Sequence, residues 1–470
     1  MRLYNTLGRE VKEFVPQKTG EASLYTCGPT VYSYYHVGNL RNAVFNDTLR
    51  RVLESAGINV KQVMNITDVG HLTSNEDEGE DKLEKGAAKE QKSVWEVADF
   101  YINAFLQDMK ALNILPPNGY KDNNYARATD FIDQQLEIIK LLINKGFAYK
   151  TGQAIYFDVT KLDDYGKLTG QRLAEKETGA RREVVVDQDK HHPQDFALWF
   201  FKVGRFADHS MSWPSPWGDG FPGWHLECSA IIHATLGEPL DIHTGGVDHI
   251  GTHHTNEIAQ TEAAFDTELA KYWVHNEHLL ADGQKMAKSS GNFYTLKDVI
   301  DKGYDPLALR LLFLQAHYRS RMNFTWEAME AAQQFLNRLQ AWADLKFQPN
   351  ATDKGTNYDD SIDKIKQALQ NDLNSAEALA TLSNLVVRAE EDGIDIQAFQ
   401  TLLEQLDSLL GLKLDDRQDV NEEVKQLLNN RQKARDDSDW TRSDQLRDEL
   451  AKLQVEVQDT ARGQLWRRVR

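Results

Sequence analysis

The amino-acid sequence predicts an α/β protein, in which a nucleotide-binding domain built on a parallel sheet is followed by a helical region. Residues 22–27 form an apolar strand that ends at a Gly28-Pro29 turn, and from Asn39 apolar residues recur at nearly helical spacing as far as Gly57. Residues 58–66 predict the next strand. A strand, a helix and a parallel strand with glycine at the first crossing are typical of a nucleotide-binding half-unit, whose helix N-terminus faces an anion.

The second half of the chain predicts helices. Amphipathic or Leu-rich stretches occupy residues 305–315, 326–345 and 361–410, and a linker at 414–421 is acidic and polar. A final helical pair at 421–436 and 438–453 precedes a short strand at 455–457 and a basic tail. We therefore expect a helical bundle followed by a small C-terminal domain.

Composition limits the possible classes of protein. The chain has 470 residues, of which 41% are apolar and 10% aromatic, and this is enough for a large core and several domains. No run of residues approaches the length of a membrane span, and the start lacks the apolar stretch of a signal peptide. The net charge of −18 argues against a nucleic-acid binder held by a global positive field. We expect a cytoplasmic protein without a membrane partner.

Both cysteines of the chain lie in segments that point to a function. Cys27 ends the first predicted strand, and Cys228 follows Trp224 in a Trp-His-Leu-Glu-Cys segment. His253 and Glu257 are four residues apart, which on a helix puts them on one face. Two thiolates, an imidazole and a carboxylate would form a tetrahedral zinc site. From these residues alone, buried cysteines acting as small apolar side chains remain an alternative.

Two further segments can bind phosphate groups. Gly38 lets a ligand approach the backbone at the predicted helix start, where His36 and Asn39 can donate hydrogen bonds beside the positive end of the helix dipole. Lys285 and Lys288 lie three apart in a small, Gly-flanked loop and can neutralise charge on a transferring phosphoryl group. An ordinary helix cap and a solvated lysine pair are the simpler interpretations of each segment alone. Neither the dinucleotide-binding nor the P-loop fingerprint occurs in the chain.

In this order, the two segments resemble the HIGH and KMSKS signatures of class I aminoacyl-tRNA synthetases. The resemblance is closest to the cysteinyl-tRNA synthetase family and runs nearly from end to end. The similar segments are residues 25–32, 36–39, 65–68, 213–218, 222–230, 241–243, 253–260, 285–292 and 317–320.

The resemblance implies a fold and its domains. The fold would be a Rossmann-type catalytic domain with a connective insertion, followed by a helical bundle that grips tRNA and a C-terminal anticodon-binding domain. The implied boundaries are 1–114 and 216–304 for the two catalytic halves, 115–215 for the insertion, 305–413 for the bundle and 421–470 for the C-terminal domain. The insertion is too short for a large editing domain and is predicted to contain a helix at 129–145 and a few strands.

The resemblance also implies an activity, which is the ATP-dependent activation of cysteine and its transfer to tRNA(Cys). One Zn²⁺ per chain would be held by Cys27, Cys228, His253 and Glu257, with His254 as an alternative to His253. The ATP and Mg²⁺ complex would meet the residues His36, Gly38, Asn39, Lys285 and Lys288.

The remaining predicted contacts concern cysteine and tRNA. Trp224, Thr67 and Asp248 would contact cysteine. In the tail, the indole of Trp466 among the arginines Arg462, Arg467 and Arg468 would stack on unpaired anticodon bases. We expect a monomer.

A metal in the amino-acid pocket has a physical rationale. Cysteine and serine differ by one atom, and shape alone would separate them by a factor of about ten to a few hundred. Zinc deprotonates a coordinating thiol and binds the soft thiolate, whereas an alcohol resists ionisation. The metal would therefore select cysteine without an editing site.

The chain departs from the family pattern at two places. Ala287 replaces the KMSKS serine, which removes a hydroxyl near the pyrophosphate, and Gly251-Thr252 precedes His253 where the family usually has a Phe-Pro or similar pair. Two other functions remain open, namely a cysteine ligase acting on a small-molecule amine and a non-catalytic synthetase-like module that binds tRNA. The complete tail argues against the first, and the retained His36, Asn39, Lys285 and Lys288 argue against the second.

We predict that Lys288→Ala slows adenylate formation by about a hundredfold or more with little change in cysteine affinity, because this ammonium group would bind only the transition state. Pre-steady-state measurement of adenylate formation at varied cysteine concentration tests this. Ala287→Ser, which restores the family residue, is the matched control and should change the rate only modestly. A raised cysteine constant with normal turnover in Lys288→Ala would contradict the assignment.

Overall fold

The computed structural model describes residues 1–69, 72, 81–90, 92–171, 187–286, 291–348, 358–392, 394–460 and 463–469. The predictions for Ala287, Lys288 and Arg462 lie outside these residues. The chain forms two compact units, Met1–Asp298 with Tyr318–Asn323, and Val299–His317 with Phe324–Arg470.

Strands and helices alternate through the first unit, whereas helices dominate the second. The strands are β1 Arg2–Asn5, β2 Glu10–Glu13, β3 Glu21–Thr26, β4 Asn59–Ile66, β5 Ala126–Arg127, β6 Ala148–Lys150, β7 Ala154–Phe157, β8 Phe196–Phe201, β9 Gly220–Pro222, β10 Leu240–Gly246, β11 Ala270–Asn276, β12 Leu279–Ala281, β13 Gln284–Lys285, β14 Met322–Phe324, β15 Val455–Thr460 and β16 Gly463–Arg468. The α-helices are α1 Val37–Ser55, α2 Lys82–Glu90, α3 Val94–Ala111, α4 Ile132–Asn144, α5 Trp224–Thr235, α6 His253–Phe265, α7 Leu296–Asp301, α8 Pro306–Leu314, α9 Trp326–Ala343, α10 Asp359–Gln370, α11 Ser375–Asp392, α12 Ile396–Leu410, α13 Glu422–Asp436 and α14 Trp440–Lys452.

A five-stranded parallel sheet in the order β11-β10-β3-β4-β5 forms the centre of the first unit. The predicted strand, helix and parallel strand are confirmed as β3, α1 and β4, with Thr26 opposite Met64 at the carboxyl end. Sequence-adjacent strands continue on one side of β3, while β10 pairs on its other side. In open parallel sheets, ligands bind outside the carboxyl ends of strands at such a reversal of order.

Helix α1 is fixed at both ends by its own residues. The Nδ1 atom of His36 accepts hydrogen bonds from the backbone N–H groups of Gly38 and Asn39, and the Asn39 side chain accepts one from the His36 N–H. This reciprocal pair is a capping box. The chain leaves the helix through Gly57, whose φ of +80° is the left-handed region that glycine adopts without strain.

The segment between the catalytic halves folds as a helix on an antiparallel sheet. Strands β6, β7, β8 and β9 pair in that order, and every residue of β8 is buried. A 3₁₀ turn at Ala128–Phe131 leads into α4, so the helix predicted at 129–145 is confirmed. Apolar side chains of α4, α5 and α6 pack with β7 and β8 in one core cluster.

Helices form the bulk of the second unit, as the sequence predicted. Asp305 caps α8 and Pro306 occupies its first turn, where a missing N–H costs nothing. Arg310 is fully buried and donates from Nε to the Leu410 carbonyl at the end of α12. Gly411 continues the chain with φ +65°, and a Cβ there would lie 2.6 Å from the Arg310 guanidinium. The close approach of that guanidinium explains the glycine.

The C-terminal tail differs from the expectation. A strand was predicted only at 455–457, but β15 runs to Thr460 and pairs antiparallel with β16, with Val457 opposite Trp466. Residues 464 and 466 are buried in β16 while their neighbours are more exposed, which is the alternation of a half-buried strand. The tail is therefore a hairpin strand.

The base-stacking role predicted for Trp466 is corrected by its burial. Its side chain is only 6% exposed and packs in a core cluster with Val424, Leu428, Leu450 and other apolar residues of the C-terminal domain. Gln348 also binds the Trp466 backbone on both sides, donating to its carbonyl at 2.9 Å and accepting from its N–H at 2.7 Å. The ring contributes to the core and does not present a face to a base.

The arginines of the tail make ion pairs within the second unit. Arg468 lies 3.3 Å from both carboxylate oxygens of the fully buried Asp344, which also receives two hydrogen bonds of 2.6 Å from Arg417. Arg467 pairs with Glu456 on the neighbouring strand. Asp344 thus joins the end of α9 to the linker and to β16.

We predict that Trp466→Ala lowers the free energy of unfolding of the second unit by about 3–5 kcal/mol, the usual effect of removing a large buried ring. Urea unfolding followed by circular dichroism measures it. Trp440, which is 57% exposed in the same domain, supplies the matched control, and Trp440→Ala should change stability by about 0.5 kcal/mol or less. Equal effects of the two substitutions would show that Trp466 is not a core residue.

Candidate metal and nucleotide site

The candidate site forms at the carboxyl ends of β3 and β10, where the strand order reverses. Cys27 directly follows β3, and its backbone N–H donates to the Thr244 carbonyl of β10 at 3.4 Å. Cys228 lies in the second turn of α5, and His253 and Glu257 lie one turn apart on α6. Two strand ends and two helices therefore supply the predicted ligands.

The four predicted zinc ligands come together in this arrangement. One ligand atom from each of Cys27, Cys228, His253 and Glu257 lies within 4.8 Å of the others. His253 Nε2 is 3.6 Å from Cys228 Sγ and 2.9 Å from Glu257 Oε1. All four side chains are buried.

A second, overlapping ligand set uses other imidazoles. Cys27, His243, His254 and Glu257 also offer atoms within 4.8 Å of one another. His254 Nε2 lies 3.3 Å from Cys27 Sγ, and His243 Nε2 lies 2.9 Å from Glu257 Oε2. His254 was an alternative in the sequence, but His243 was not assigned as a ligand. His243 is buried in β10, and no other ligand lies near it in the sequence at a spacing that would indicate a metal site.

The donor atoms fit a divalent cation. Glu257 Oε1 is buried and lies 2.9 Å from His253 Nε2. A buried carboxylate needs a charged or donating partner, and a cation between the carboxylate, the imidazole and the thiols would add one. Thiolates and imidazoles with one carboxylate are ligands that zinc accepts.

The outer nitrogens of the two candidate imidazoles are also engaged. His254 Nδ1 lies 2.8 Å from His275 Nε2, and His275 Nδ1 lies 2.7 Å from the Thr6 hydroxyl. His253 Nδ1 lies 2.9 Å from His225 Nδ1. Such outer partners orient an imidazole toward a metal, so the contacts do not distinguish His253 from His254.

The electrostatics of the cluster favour the ionised forms of Cys27 and Glu257, whereas burial raises the pKa of Cys228 well above its ordinary value. Burial opposes the thiolate of Cys27, but a hydrogen bond from Cys228 and the neighbouring His254 bring its pKa well below the ordinary value. Burial likewise opposes the Glu257 carboxylate, yet His253 and His243 lower its pKa to about 2. A thiolate and a carboxylate are the forms that bind a metal.

The three predicted cysteine-binding residues differ in their environments. Trp224 stacks on His253 with ring centroids 4.1 Å apart. Asp248 is exposed in the turn after β10. Thr67 is buried, and its hydroxyl donates to Glu227 Oε2 at 2.8 Å. Glu227 was not singled out as a site residue in the sequence, because a buried carboxylate on a helix leaves no motif.

The nucleotide segment has donors directed by the cap of α1. Since His36 Nδ1 accepts two backbone hydrogen bonds, the ring proton of neutral His36 is on Nε2. Since Asn39 Oδ1 accepts the His36 N–H, its amide nitrogen retains two hydrogens. No acidic residue occupies the first turn of α1. The helix start therefore presents donors to an anion.

The two signature segments lie against each other. A Cβ on Gly38 would lie 2.6 Å from the Met286 Cε atom, and Val37 donates to the Tyr294 carbonyl at 2.8 Å. Lys285 is exposed in β13, one residue before Met286. Within the described residues, the start of α1 is thus in contact with the lysine segment, as expected for motifs that share a nucleotide.

Comparison with known proteins identifies the family. The family model described as "tRNA synthetases class I (C) catalytic domain" matches residues 13–334, and the one described as "Cysteinyl-tRNA ligase anticodon binding domain" matches residues 417–467. The chain belongs to the cysteine–tRNA ligase family of class I aminoacyl-tRNA synthetases. The fold class predicted from the sequence is confirmed.

Relatives of this family match over the whole chain. A cysteine–tRNA ligase of Treponema denticola is 40% identical, with 100% of each chain covered. Cysteine–tRNA ligase 1 of Burkholderia lata is 44% identical over 99% of this chain and 96% of its own length. A cysteine–tRNA ligase of Thermus thermophilus is 40% identical over 99% of this chain and 98% of its own length.

Solved structures of other synthetases share the fold at low identity. Methionyl-tRNA synthetase of Mycobacterium tuberculosis, in complex with methionyl-adenylate, has a TM-score of 0.60 at 14% identity and covers 85% of this chain and 93% of its own. The leucyl-tRNA synthetase of Agrobacterium radiobacter has a TM-score of 0.59 at 12% identity and covers 86% of this chain and 85% of its own.

None of the described helices is long and apolar enough to cross a bilayer.

We predict that the purified protein carries about one zinc per chain, and that Cys27→Ser and Cys228→Ser each lose it, because serine is a poor ligand for this metal. Metal analysis by mass spectrometry gives the content. His233→Ala is the control, since His233 lies on α5 but pairs with Glu238 instead of the cluster. Metal retained in both cysteine variants would exclude this site.

The two histidine variants identify the imidazole ligand. His253→Ala should remove the metal if the first set holds it, and His254→Ala should do so if the second does. Full zinc content in both variants would contradict either set.

Proposed function

We propose that this protein activates cysteine with ATP and transfers it to the 3′ end of tRNA(Cys). The observation that carries the proposal is the buried cluster of thiols, imidazoles and a carboxylate at the switch point of the sheet, in the same unit as the two nucleotide segments. Members of the family with 40% identity over the whole chain bear the name cysteine–tRNA ligase.

In this proposal Cys27, Cys228, Glu257 and one of His253 and His254 hold a zinc ion. A bound zinc ion would take the thiolate of the substrate cysteine as a ligand and would so distinguish it from serine. The chain's own part is to hold Cys27 and Glu257 in their ionised forms, which the lowered pKa of each group favours. The Trp224 ring stacks on His253, one of the two candidate imidazole ligands.

The nucleotide would bind at the start of α1. His36 Nε2 and Asn39 Nδ2 would donate to phosphate oxygens at the start of this helix, and the helix dipole adds a favourable field. Lys285 and Lys288 would stabilise the charge of the leaving pyrophosphate, and Mg²⁺ bound with ATP would supply further positive charge there.

Two steps complete the reaction. The carboxylate of cysteine attacks the α-phosphorus of ATP, giving cysteinyl adenylate and pyrophosphate, and a hydroxyl of the terminal ribose then takes the cysteinyl group and releases AMP. No covalent enzyme intermediate is needed. Catalysis would depend on positioning and on electrostatic stabilisation of the phosphoryl group.

The C-terminal domain would bind the anticodon through residues other than Trp466. Trp440 is exposed at the start of α14, and the Arg435 guanidinium lies 5.5 Å from its ring centroid. An exposed indole beside a guanidinium can stack on an unpaired base and contact phosphate. We propose Trp440 for the stacking role, and we propose a monomer that works in the cytoplasm.

The alternative of a cysteine ligase acting on a small-molecule amine does not explain the C-terminal domain. Residues 417–467 match the anticodon-binding family, and such a domain has no use with a small acceptor. The non-catalytic alternative leaves the donors at His36 and Asn39 unexplained.

Cysteine-dependent exchange between ATP and pyrophosphate without tRNA is the first test of the proposed function. The protein should exchange with cysteine and far less with serine, and it should then charge a tRNA with a GCA anticodon. Trp440→Ala should retain exchange and lower charging about tenfold to a hundredfold, because stacking one base contributes roughly 1–3 kcal/mol.

A different experimental result would contradict each part of the proposed function. Absence of cysteine-dependent exchange would exclude cysteine activation. Exchange without charging of any tRNA would favour the small-molecule alternative. Unchanged charging by Trp440→Ala would exclude the stacking role while leaving the activity intact.

A further inference from the structure

A chain of buried hydrogen bonds connects the two cysteine-bearing segments. The Thr67 hydroxyl donates to Glu227 Oε2 at 2.8 Å and accepts from Asn65 Nδ2 at 3.1 Å. Asn65 Oδ1 in turn accepts from the Gly28 backbone N–H at 2.8 Å. Glu227 is 0% exposed, Thr67 is 1% and Asn65 is 2%, so water does not compete for these bonds.

We call the hydrogen-bonded chain from Gly28 through Asn65 and Thr67 to Glu227 the relay. Each end of the relay is next to a cysteine whose thiol is proposed to bind the metal. Gly28 follows Cys27 at the end of β3, and Glu227 precedes Cys228 on α5. The contact at Gly28 is tight, because a Cβ there would lie 1.8 Å from the Asn65 carbonyl oxygen. The relay therefore joins two segments that are far apart in the chain at the point where their thiols must meet.

The assigned hydrogen bonds of the relay have a consistent direction. Asn65 uses its oxygen on Gly28, so its amide nitrogen faces Thr67. Thr67 has a single proton, and after accepting from Asn65 it gives this proton to Glu227. The other Glu227 oxygen has no hydrogen-bond partner among the described residues, so Thr67 is the side chain that orients this carboxylate.

We propose that Glu227, Thr67 and Asn65 are positioning residues that hold Cys27 and Cys228 at the separation required by one metal ion. The inference rests on the zinc role given to this cluster under the proposed function. Metal ligands must be positioned to within about 0.2 Å, and a directional hydrogen-bonded chain restricts two backbone segments more narrowly than apolar packing does. Outer partners of metal ligands typically contribute about 10- to 100-fold in affinity.

Isosteric variants of the full-length protein test the relay. Thr67→Val keeps the shape and removes the hydroxyl, whereas Thr67→Ser keeps the hydroxyl. We expect Thr67→Val to weaken zinc binding by about 10- to 100-fold and Thr67→Ser to remain within about threefold of the unsubstituted protein. The affinity is measured without cysteine by competition with a zinc chelator, so direct contact of Thr67 with the substrate does not enter.

A second pair reports on the other end of the relay. Glu227→Met removes the acceptor at similar size, and Glu227→Gln keeps an acceptor oxygen. Glu227→Met should lose affinity as Thr67→Val does, and Glu227→Gln should largely retain it. The Thr67→Val/Glu227→Met double variant should bind no more weakly than either single variant within about threefold, because residues acting in one chain are not additive. This pair also replaces the Thr67 pair if Thr67→Val does not fold.

A general loss of stability is separated from loss of positioning by a control. Thr48→Val removes another buried hydroxyl, one that donates to the Val44 carbonyl within α1. It should leave zinc affinity unchanged. In the cobalt-substituted protein, the sulfur-to-cobalt charge-transfer band should weaken in Thr67→Val and remain in Thr48→Val.

The results that would overturn the inference differ from those that would overturn the metal assignment. Full zinc affinity in Thr67→Val and Glu227→Met, additive losses in the double variant, or an equal loss in Thr48→Val would exclude the relay while leaving the metal site in place. If the unsubstituted protein binds no zinc, the metal assignment and the relay both fail.

Discussion

The mutual pairing of buried polar groups at the end of the parallel sheet is the constraint on which the catalytic unit depends. Glu257, His243, His253 and His254 are each at most 2% exposed, and Cys27 and Cys228 adjoin them. A buried charge without a partner costs several kcal/mol, so each of these groups is tolerable only while the others remain in contact. The requirement fixes β3, β10, α5 and α6 relative to one another. It also explains why the cluster lies where the strand order reverses, since two strand ends and two helices converge there.

Local patterns in the sequence correctly predicted the structural features that depend only on residues close together in the chain. The β3–α1–β4 unit, the long insertion helix and the placement of His253 and Glu257 on one helical face all follow from spacing over a few residues. The strand order beyond β3 and β4 does not, because the pairing of β10 with β3 joins residues far apart in the chain and leaves no local pattern. His243 and Glu227 were missed for the same reason. Each is a single buried polar residue whose partners come from distant segments.

In the C-terminal domain, residue composition alone gave the wrong role for a tryptophan, because composition does not show which side chains are buried. An indole among arginines is expected both for an RNA-binding tail and for a hairpin strand with one buried face, and the sequence prediction chose the first. Trp466 belongs to the second class, because Val424, Leu428 and Leu450 cover its ring. The signal that distinguishes them is the alternation of residues 464 and 466 against their neighbours, with Arg468 returning to Asp344. Trp440 has the opposite environment, since it is exposed beside Arg435.

The hydrogen-bond directions around Thr67 also limit how it can contact a substrate. Its single proton is given to Glu227, and one lone pair of its oxygen is used by Asn65. One lone pair remains, so while the relay is intact the hydroxyl can only accept. Of the two polar ends of an amino acid, the ammonium group donates and the carboxylate accepts. Thr67 can therefore meet the ammonium group but cannot donate to the carboxylate that attacks ATP. Other donors must therefore orient that carboxylate. Thr67 could donate to it only if the hydrogen bond from Thr67 to Glu227 were broken.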